Sequence, residues 1–440
     1  MRKRAKIAAA LGVLLLAGCN TWFGESDGPP LPGQRISVLE HQQALTADPQ
    51  AGAEPIVLPP PIVNSDWPQA GGDASHAMQH LQANLSARPI WEASAGTGVS
   101  SSRPILAPPV IGGGRIYTID TENLVSAFEL KTGKRLWDVD LARKEEDDDA
   151  RPGGIAYDDG RLFASTGFGK VVALDAARGK ELWRRSVGYP VHSPPTVAGG
   201  RVFVVSVENQ LRALSAADGS DAWPPFQALA EVARLVGGAS PAVDAGAVVA
   251  PFSSGELVAL RADTGRPIWT ESLAPARSSD EISALAQIRA RPVIDGGRVY
   301  AISAGGILAA FDLRTGQRLW ERDVGGLQSP WLAGRHIFQI TSDGKLIAVA
   351  ADNGRIHWVT PLPAFEDEKE REGPVQWAGP VLASERLLIA SSDGRIYAVS
   401  PFDGRILDRQ TLGRGTTVAP VVAEGAVFLL DDDGGLFAFR

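Results

Sequence analysis

A short pattern recurs eight times along this 440-residue chain and limits its possible folds more than any other feature. Each copy reads apolar residue, any residue, alanine, apolar residue, and successive alanines are 38 to 51 residues apart. The alanines are Ala127, Ala173, Ala213, Ala259, Ala310, Ala348, Ala398 and Ala438. Four-stranded propeller blades repeat with this period. The sequence therefore predicts an all-β fold, an eight-bladed β-propeller of four-stranded blades.

Residues at fixed distances from each alanine support the same architecture. Six positions after it, seven copies have glycine; ten positions after it, six copies have tryptophan, and the seventh has Asp408. Eighteen positions before it, seven copies have proline, and the second has Ile155. Proline opens a strand where a missing donor costs least. We expect the alanine on the third strand and the tryptophan on the fourth, where it covers the gap between blades.

The two ends of the chain suggest how the ring closes. The eighth copy is followed only by Phe439 and Arg440, which leaves no fourth strand for that blade. Near the start, Ile90 and Trp91 form a strand pattern with a tryptophan but no preceding alanine copy. We expect this strand to complete the last blade, which would remove an open sheet edge.

The first 19 residues have the pattern of an export signal. A basic start is followed by an apolar run from Ile7 to Ala17, too short for a stable membrane span. The sequence Leu-Ala-Gly-Cys ending at Cys19 resembles the lipobox of bacterial lipoproteins, in which the cysteine is lipidated and the preceding peptide removed. A plain signal peptide with a chance cysteine is the alternative. Asn20 follows, where lipoproteins of the inner membrane often carry Asp, so the resemblance implies the outer membrane.

The segment after Cys19 differs in composition from the repeats. Residues 28–33 and 58–61 are rich in proline, which resists helix and central strand. We predict a signal peptide over 1–18, a lipidated cysteine and flexible tether over 19–64, and the propeller over 65–440. Residues 35–39 are a candidate for a short docked strand.

Charge and histidine spacing argue against two classes of site. The net charge is −8 and becomes more negative without the signal peptide, which disfavours nucleic-acid binding. His76 and His80 have the spacing of a zinc pair on a helix. Without an intervening glutamate motif, two polar loop residues are the favoured interpretation. We expect no metal and no cofactor.

Insertions between the copies are candidates for function. Residues 144–149 and 365–372 are predicted as charged loops, while 229–235 and 281–288 have short helical patterns. Residues 226–240 and 278–291 combine apolar and charged side chains. We hypothesise that these two insertions form a partner-binding face.

The repeats and the N-terminus together resemble a known family. Residues 132–137, Thr-Gly-Lys-Arg-Leu-Trp, resemble the blade motif of quinoprotein dehydrogenases. With the lipobox, the tether and the opening Trp-Pro-Gln-Ala-Gly-Gly of residues 67–72, the chain resembles the BamB family of outer-membrane assembly lipoproteins. That resemblance implies a non-catalytic scaffold that helps fold and insert β-barrel proteins. It also implies binding to the periplasmic POTRA domains of a BamA-like barrel protein, with the acylated Cys19 held in outer-membrane lipid.

The family resemblance also implies where partners bind. In that family the contacts lie in inter-blade loops, including a stretch before a Ser-Pro strand start, which corresponds here to residues 234–241. Arg234 and Leu235 are the closest matches. Other members carry acidic residues before the next proline, whereas here Gln287 and Arg289 precede Pro292. These four residues are the candidate partner-binding residues.

Two other functions remain open at this point. A quinone-cofactor dehydrogenase would share the blades, but such enzymes use calcium with acidic ligands and commonly a vicinal disulfide. A single cysteine rules out that disulfide, and no isolated acidic constellation stands at the blade starts. A scaffold of another envelope complex would share the fold and location but not the BamA-like partner.

Overall fold

The computed structural model describes residues 45–84, 86–100, 103, 107–143, 150–229, 237–274 and 286–440. Residues Thr46–Arg440 form a compact unit. Eight antiparallel four-stranded sheets build it, and in seven of them the chain passes from the innermost strand outwards. The predicted eight-bladed propeller is thereby confirmed.

The strands of the first four blades follow in order from the axis outwards, after β1 (Trp91–Ser94). Blade 1 contains β2 (Val110–Gly112), β3 (Arg115–Ile119), β4 (Leu124–Glu129) and β5 (Arg135–Asp140). Blade 2 contains β6 (Gly154–Asp158), β7 (Arg161–Ser165), β8 (Lys170–Asp175) and β9 (Glu181–Ser186). Blade 3 contains β10 (Thr196–Ala198), β11 (Arg201–Val205), β12 (Gln210–Ser215) and β13 (Phe226–Gln227). Blade 4 contains β14 (Ala242–Asp244), β15 (Ala247–Pro251), β16 (Glu256–Arg261) and β17 (Pro267–Ser272).

The remaining blades follow the same order. Blade 5 contains β18 (Val293–Asp295), β19 (Arg298–Ile302), β20 (Ile307–Asp312) and β21 (Arg318–Asp323). Blade 6 contains β22 (Trp331–Ala333), β23 (His336–Ile340), β24 (Lys345–Ala350) and β25 (Ile356–Pro361). A hairpin of β26 (Phe365–Asp367) and β27 (Glu372–Pro374) precedes blade 7, which contains β28 (Trp377–Ala383), β29 (Arg386–Ser391), β30 (Arg395–Val399) and β31 (Ile406–Thr411). Blade 8 contains β32 (Val421–Ala423), β33 (Ala426–Leu430) and β34 (Gly435–Phe439).

One device joins neighbouring blades, and it explains the repeated alanine, glycine and tryptophan. Ala173 on β8 lies opposite Trp183 on β9, where a small residue leaves room for the indole. The Trp183 Nε1–H donates to the carbonyl oxygen of Ala216 in the next blade at 3.1 Å. The same ring covers Gly219, where a Cβ would lie 2.6 Å from the indole. Equivalent indole–glycine contacts are Trp91–Gly133, Trp137–Gly179, Trp223–Gly265, Trp269–Gly316, Trp320–Gly354 and Trp358–Gly404.

The exception in blade 7 follows from this device. Asp408 takes the tryptophan position and is exposed. The neighbouring blade 8 receives its outer strand from β1, so it has no turn glycine on which an indole of blade 7 would lie. A polar residue is therefore compatible with this position.

The predicted closure of the ring is also confirmed. β1 pairs antiparallel with β34, with Trp91 opposite Ala438 and Ser94 opposite Gly435. The Ile90 N–H donates to the carbonyl of Ala438 at 2.7 Å. The first and last parts of the propeller thus share one sheet.

A segment before blade 1, residues 67–84, contacts all eight blades in order; we call it the base segment. Its hydrogen-bonded contacts are Trp67 with Ile111, Pro68 with Tyr157, Gln69 with Val197, Ala74 with Val243, Ser75 with Ile294, Gln79 with Gly334, Leu81 with Leu382, and Asn84 with Gly425. These partners belong to innermost strands or to the turns that follow them. The base segment therefore lies across one end of the central channel. Only its opening motif, residues 67–72, is evident in the sequence.

The packed part of the chain also begins before the predicted boundary. A short helix, α1 (Pro49–Ala53), lies against β25. The Asp48 N–H donates to Ile356 at 2.9 Å, and His357 Nδ1–H donates to the carbonyl of Ala51 at 2.8 Å. The compact unit therefore begins at Thr46 rather than at residue 65.

Several local predictions have other outcomes. Residues 365–372 were predicted as a loop, which is wrong: β26 and β27 pair as a hairpin, and the Arg371 guanidinium lies 5.3 Å from the Phe365 ring centroid. The predicted strand 35–39, the loop 144–149, most of the predicted helix 229–235 and residues 281–285 of the second lie outside the described residues. Residues 286–288 are described and are not helical.

Candidate partner-binding surface

The two faces of the propeller are distinguished by the direction of its strands. Because neighbouring strands are antiparallel, the blade-to-blade connections share a face with the turns between second and third strands. Contacts support this arrangement: the Asn209 side-chain amide donates to the carbonyl of Leu229 at 2.6 Å, and the Ala304 N–H donates to that of Gln287 at 3.0 Å. We call this the connection face. The base segment lies at the opposite end.

Among the described residues of the connection face, three apolar side chains are exposed that the sequence alone does not indicate. Tyr189, Leu229 and Leu327 are 45%, 66% and 37% exposed, and they lie in the connections after blades 2, 3 and 5. The Leu229 N–H donates to a Glu256 carboxylate oxygen at 2.8 Å, so hydrogen bonds on both sides fix its backbone. Position in a connection, outside the repeat, is the signal by which such residues could have been found.

The four residues predicted from sequence have different environments. Gln287 is 4% exposed, so its side chain packs inside the connection after blade 4. Arg289 in the same connection is partly exposed, and burial lowers the pKa of its guanidinium. Arg234 and Leu235 lie outside the described residues. The structure therefore presents Arg289, but not the Gln287 side chain, toward solvent.

The histidine pair has a structural role in the base segment. His76 Nδ1–H donates to the carbonyl of Pro292 and His80 Nδ1–H to that of Pro59, both at 2.7 Å. Neither residue is in a helix. Within the described ranges, no three His, Cys, Asp or Glu residues are grouped as ligands of a metal ion.

The described part of the chain contains almost no helix. No helix in that part of the chain is both long and apolar enough to cross a bilayer.

Comparisons with known proteins give consistent results. The family model described as outer membrane protein assembly factor BamB matches residues 120–360 and 366–440. The protein of that name from Yersinia pestis is 29% identical over 274 residues, which are 61% of this chain and 69% of the relative.

Solved structures show the same fold. The crystal structure of BamB from Moraxella catarrhalis has a TM-score of 0.66 at 20% identity, covering 81% of this chain and 100% of that one. A europium-containing methanol dehydrogenase has a TM-score of 0.63 at 16% identity, covering 85% and 89%. At these identities the two structures support the fold alone, and the family assignment rests on the match to the family model. On that match, which spans most of the propeller, the chain belongs to the family of the outer membrane protein assembly factor BamB.

Proposed function

We propose that this protein is a non-catalytic scaffold lipoprotein of the β-barrel assembly machinery, which helps fold and insert outer-membrane β-barrel proteins. Membership of the BamB family carries the proposal. Its anchor would be the acylated Cys19 in the outer membrane, with the propeller on the periplasmic side. Its partner would be a BamA-like barrel protein, bound through the POTRA domains.

The connection face is the proposed binding surface. Leu229 is exposed and fixed in position, and Arg289 lies in the next connection along the chain. Arginine is over-represented among the side chains that contribute most to binding at protein interfaces. Arg234 and Leu235, between these two residues in sequence, belong to the same proposed surface.

A binding assay with purified POTRA domains tests this proposal. We expect the double variant Leu229→Glu with Arg289→Glu to weaken binding at least tenfold, because it replaces an apolar anchor and reverses a charge. The matched control is Ile268→Glu with Arg266→Glu, which changes exposed residues on and beside the outer strand of blade 4. The single variants Arg234→Glu and Leu235→Glu belong in the same series.

The outcomes separate the leading function from its alternatives. No binding by the wild-type protein would favour a scaffold of another envelope complex. Unchanged binding by the test variant would place the contact elsewhere on the propeller, and equal loss in test and control variants would show a non-specific effect of the added negative charge. Reproducible dye-linked alcohol oxidation after addition of quinone cofactor and calcium would instead indicate a dehydrogenase.

A further inference from the structure

Arg291 places a cation beside the innermost strand of blade 5, and the described part of the chain provides no counter-ion for it. It directly precedes Pro292 and β18, and its backbone N–H donates to Ser329 Oγ at 3.0 Å. The side-chain Nε is inaccessible to water and has no hydrogen-bond partner among the described residues. Burial lowers the pKa of the guanidinium to about 10, and no carboxylate of the described chain offsets that effect. Within the described residues, this charge is therefore not neutralised.

Two other arginines of the same blade have acidic partners. Arg298 on β19 forms an ion pair with Asp352 at 2.7 Å, and Arg318 on β21 forms one with Glu271 at 3.2 Å. Buried charges in proteins are normally paired, because an isolated ion in a low-dielectric interior is costly. Arg291, which directly precedes the innermost strand β18, has no acidic partner within the described residues.

The base segment forms the floor beneath this cation. Gln69 and Gly72 exchange two backbone hydrogen bonds, of 3.0 and 2.8 Å, and so form a tight turn. A methyl group at Gly71 would lie 3.1 Å from Arg291 Nε and 2.9 Å from His76 Cδ2. The glycine therefore allows the guanidinium to rest on the turn.

Neighbouring groups leave the positive charge uncompensated. His76 is neutral, because burial and the nearby Arg291 charge lower its pKa to about 3. Arg289, two residues earlier, adds a second cation whose pKa is lowered by burial and for which the described part of the chain supplies no acidic partner. Arg291 as a whole residue is partly exposed, although its Nε is buried.

We propose that the central channel binds a small oxyanion, a carboxylate or a phosphate, with Arg291 as its principal ligand and Arg289 as the second. A guanidinium presents donors in a planar fork that matches either group. The base segment blocks the opposite end, so the anion enters from the connection face.

Titration of the wild-type protein with inorganic phosphate and with citrate, at constant ionic strength, tests the site. We expect saturable binding to one site, weakened at least tenfold by Arg291→Met and retained within twofold by the control Arg266→Met on the surface of blade 4. The stronger of the two probes identifies the preferred oxyanion. Absence of binding, or equal binding by Arg291→Met, would overturn the proposal.

Two further measurements do not depend on the folding of the methionine variant. Arg291→Lys keeps the charge but loses the fork, so we expect binding to be weakened threefold or more without being lost. In crystals of the wild-type protein soaked in bromide, we expect an anomalous peak beside the Arg291 guanidinium. Peaks confined to exposed arginines would contradict the site.

Discussion

At the scale of single residues, each glycine that lies under an indole is constrained both by its positive φ and by the ring. Substitutions can separate these two effects. Gly179 and Gly200 have φ angles of +70° and +73°, but only Gly179 lies under an indole, that of Trp137. Alanine at either position incurs about 1–2 kcal/mol for the left-handed conformation. In Gly179→Ala the Cβ would also meet the ring at 2.7 Å, adding about 1–3 kcal/mol. Urea unfolding of the two variants should show the difference, and equal losses would exclude the proposed steric role of the ring.

His76 makes stability depend on pH in a direction that its environment determines. Its folded pKa of about 3 is below the ordinary value of 6.5, so the folded protein binds fewer protons than the unfolded chain between these values. As far as His76 determines it, the free energy of unfolding is highest above pH 6.5 and decreases progressively as the pH falls toward 3. At pH 4 the loss is up to about 3 kcal/mol.

The variant His76→Asn isolates this contribution. Asparagine accepts the φ of +62° and its amide can donate to Pro292, but it does not titrate. We expect the variant to lose less stability than wild type between pH 7 and pH 4 in denaturant titrations. His336, whose pKa burial lowers to about 4, should leave a residual slope. Parallel pH profiles would show that His76 is not responsible.

At the scale of elements, the closing sheet of blade 8 depends on two strands that are far apart in the chain, β1 and β34. Deleting residues 437–440 removes the strand partners of Trp91 and Glu92, so β1 loses half of its paired register. We expect the shortened chain to lack a cooperative melting transition and to be digested rapidly by protease. Deletion of Arg440 alone, which is exposed, is the control and should leave melting nearly unchanged. Normal melting of the longer deletion would contradict closure through β34.

The strands and their junctions were predictable because each contact is repeated with the same residue types. Ala127 and Trp137, for example, occupy paired positions that recur in the other blades. The base segment was not predictable in the same way, because most of its contacts use backbone groups that leave no side-chain pattern. Gln69 is an exception: its buried amide pairs with both backbone groups of Val197, and a lone glutamine gives no indication of this.

At the scale of the whole molecule, sequence predicted the ring more fully than its surface. The number of blades follows from the repeat alone. The exposure of a side chain in a connection depends instead on how that connection packs against the blades. Gln287 was a candidate contact but packs inside, and Leu229 was part of a broad insertion but is held in solvent. The sequence gives no indication of a site at Arg291, because a single arginine before a proline is not a motif.

The base segment also has a consequence for how such proteins can vary. It forms a hydrogen-bonded contact with each blade, and these contacts follow the order of the blades in the chain. Duplication or loss of an internal repeat would place every later blade opposite the wrong residue of the base segment. Backbone amides and carbonyls in these contacts would then lose their hydrogen-bond partners. The length of the base segment therefore matches a propeller of eight blades. A change in the number of blades would require a coordinated change in the length of this segment.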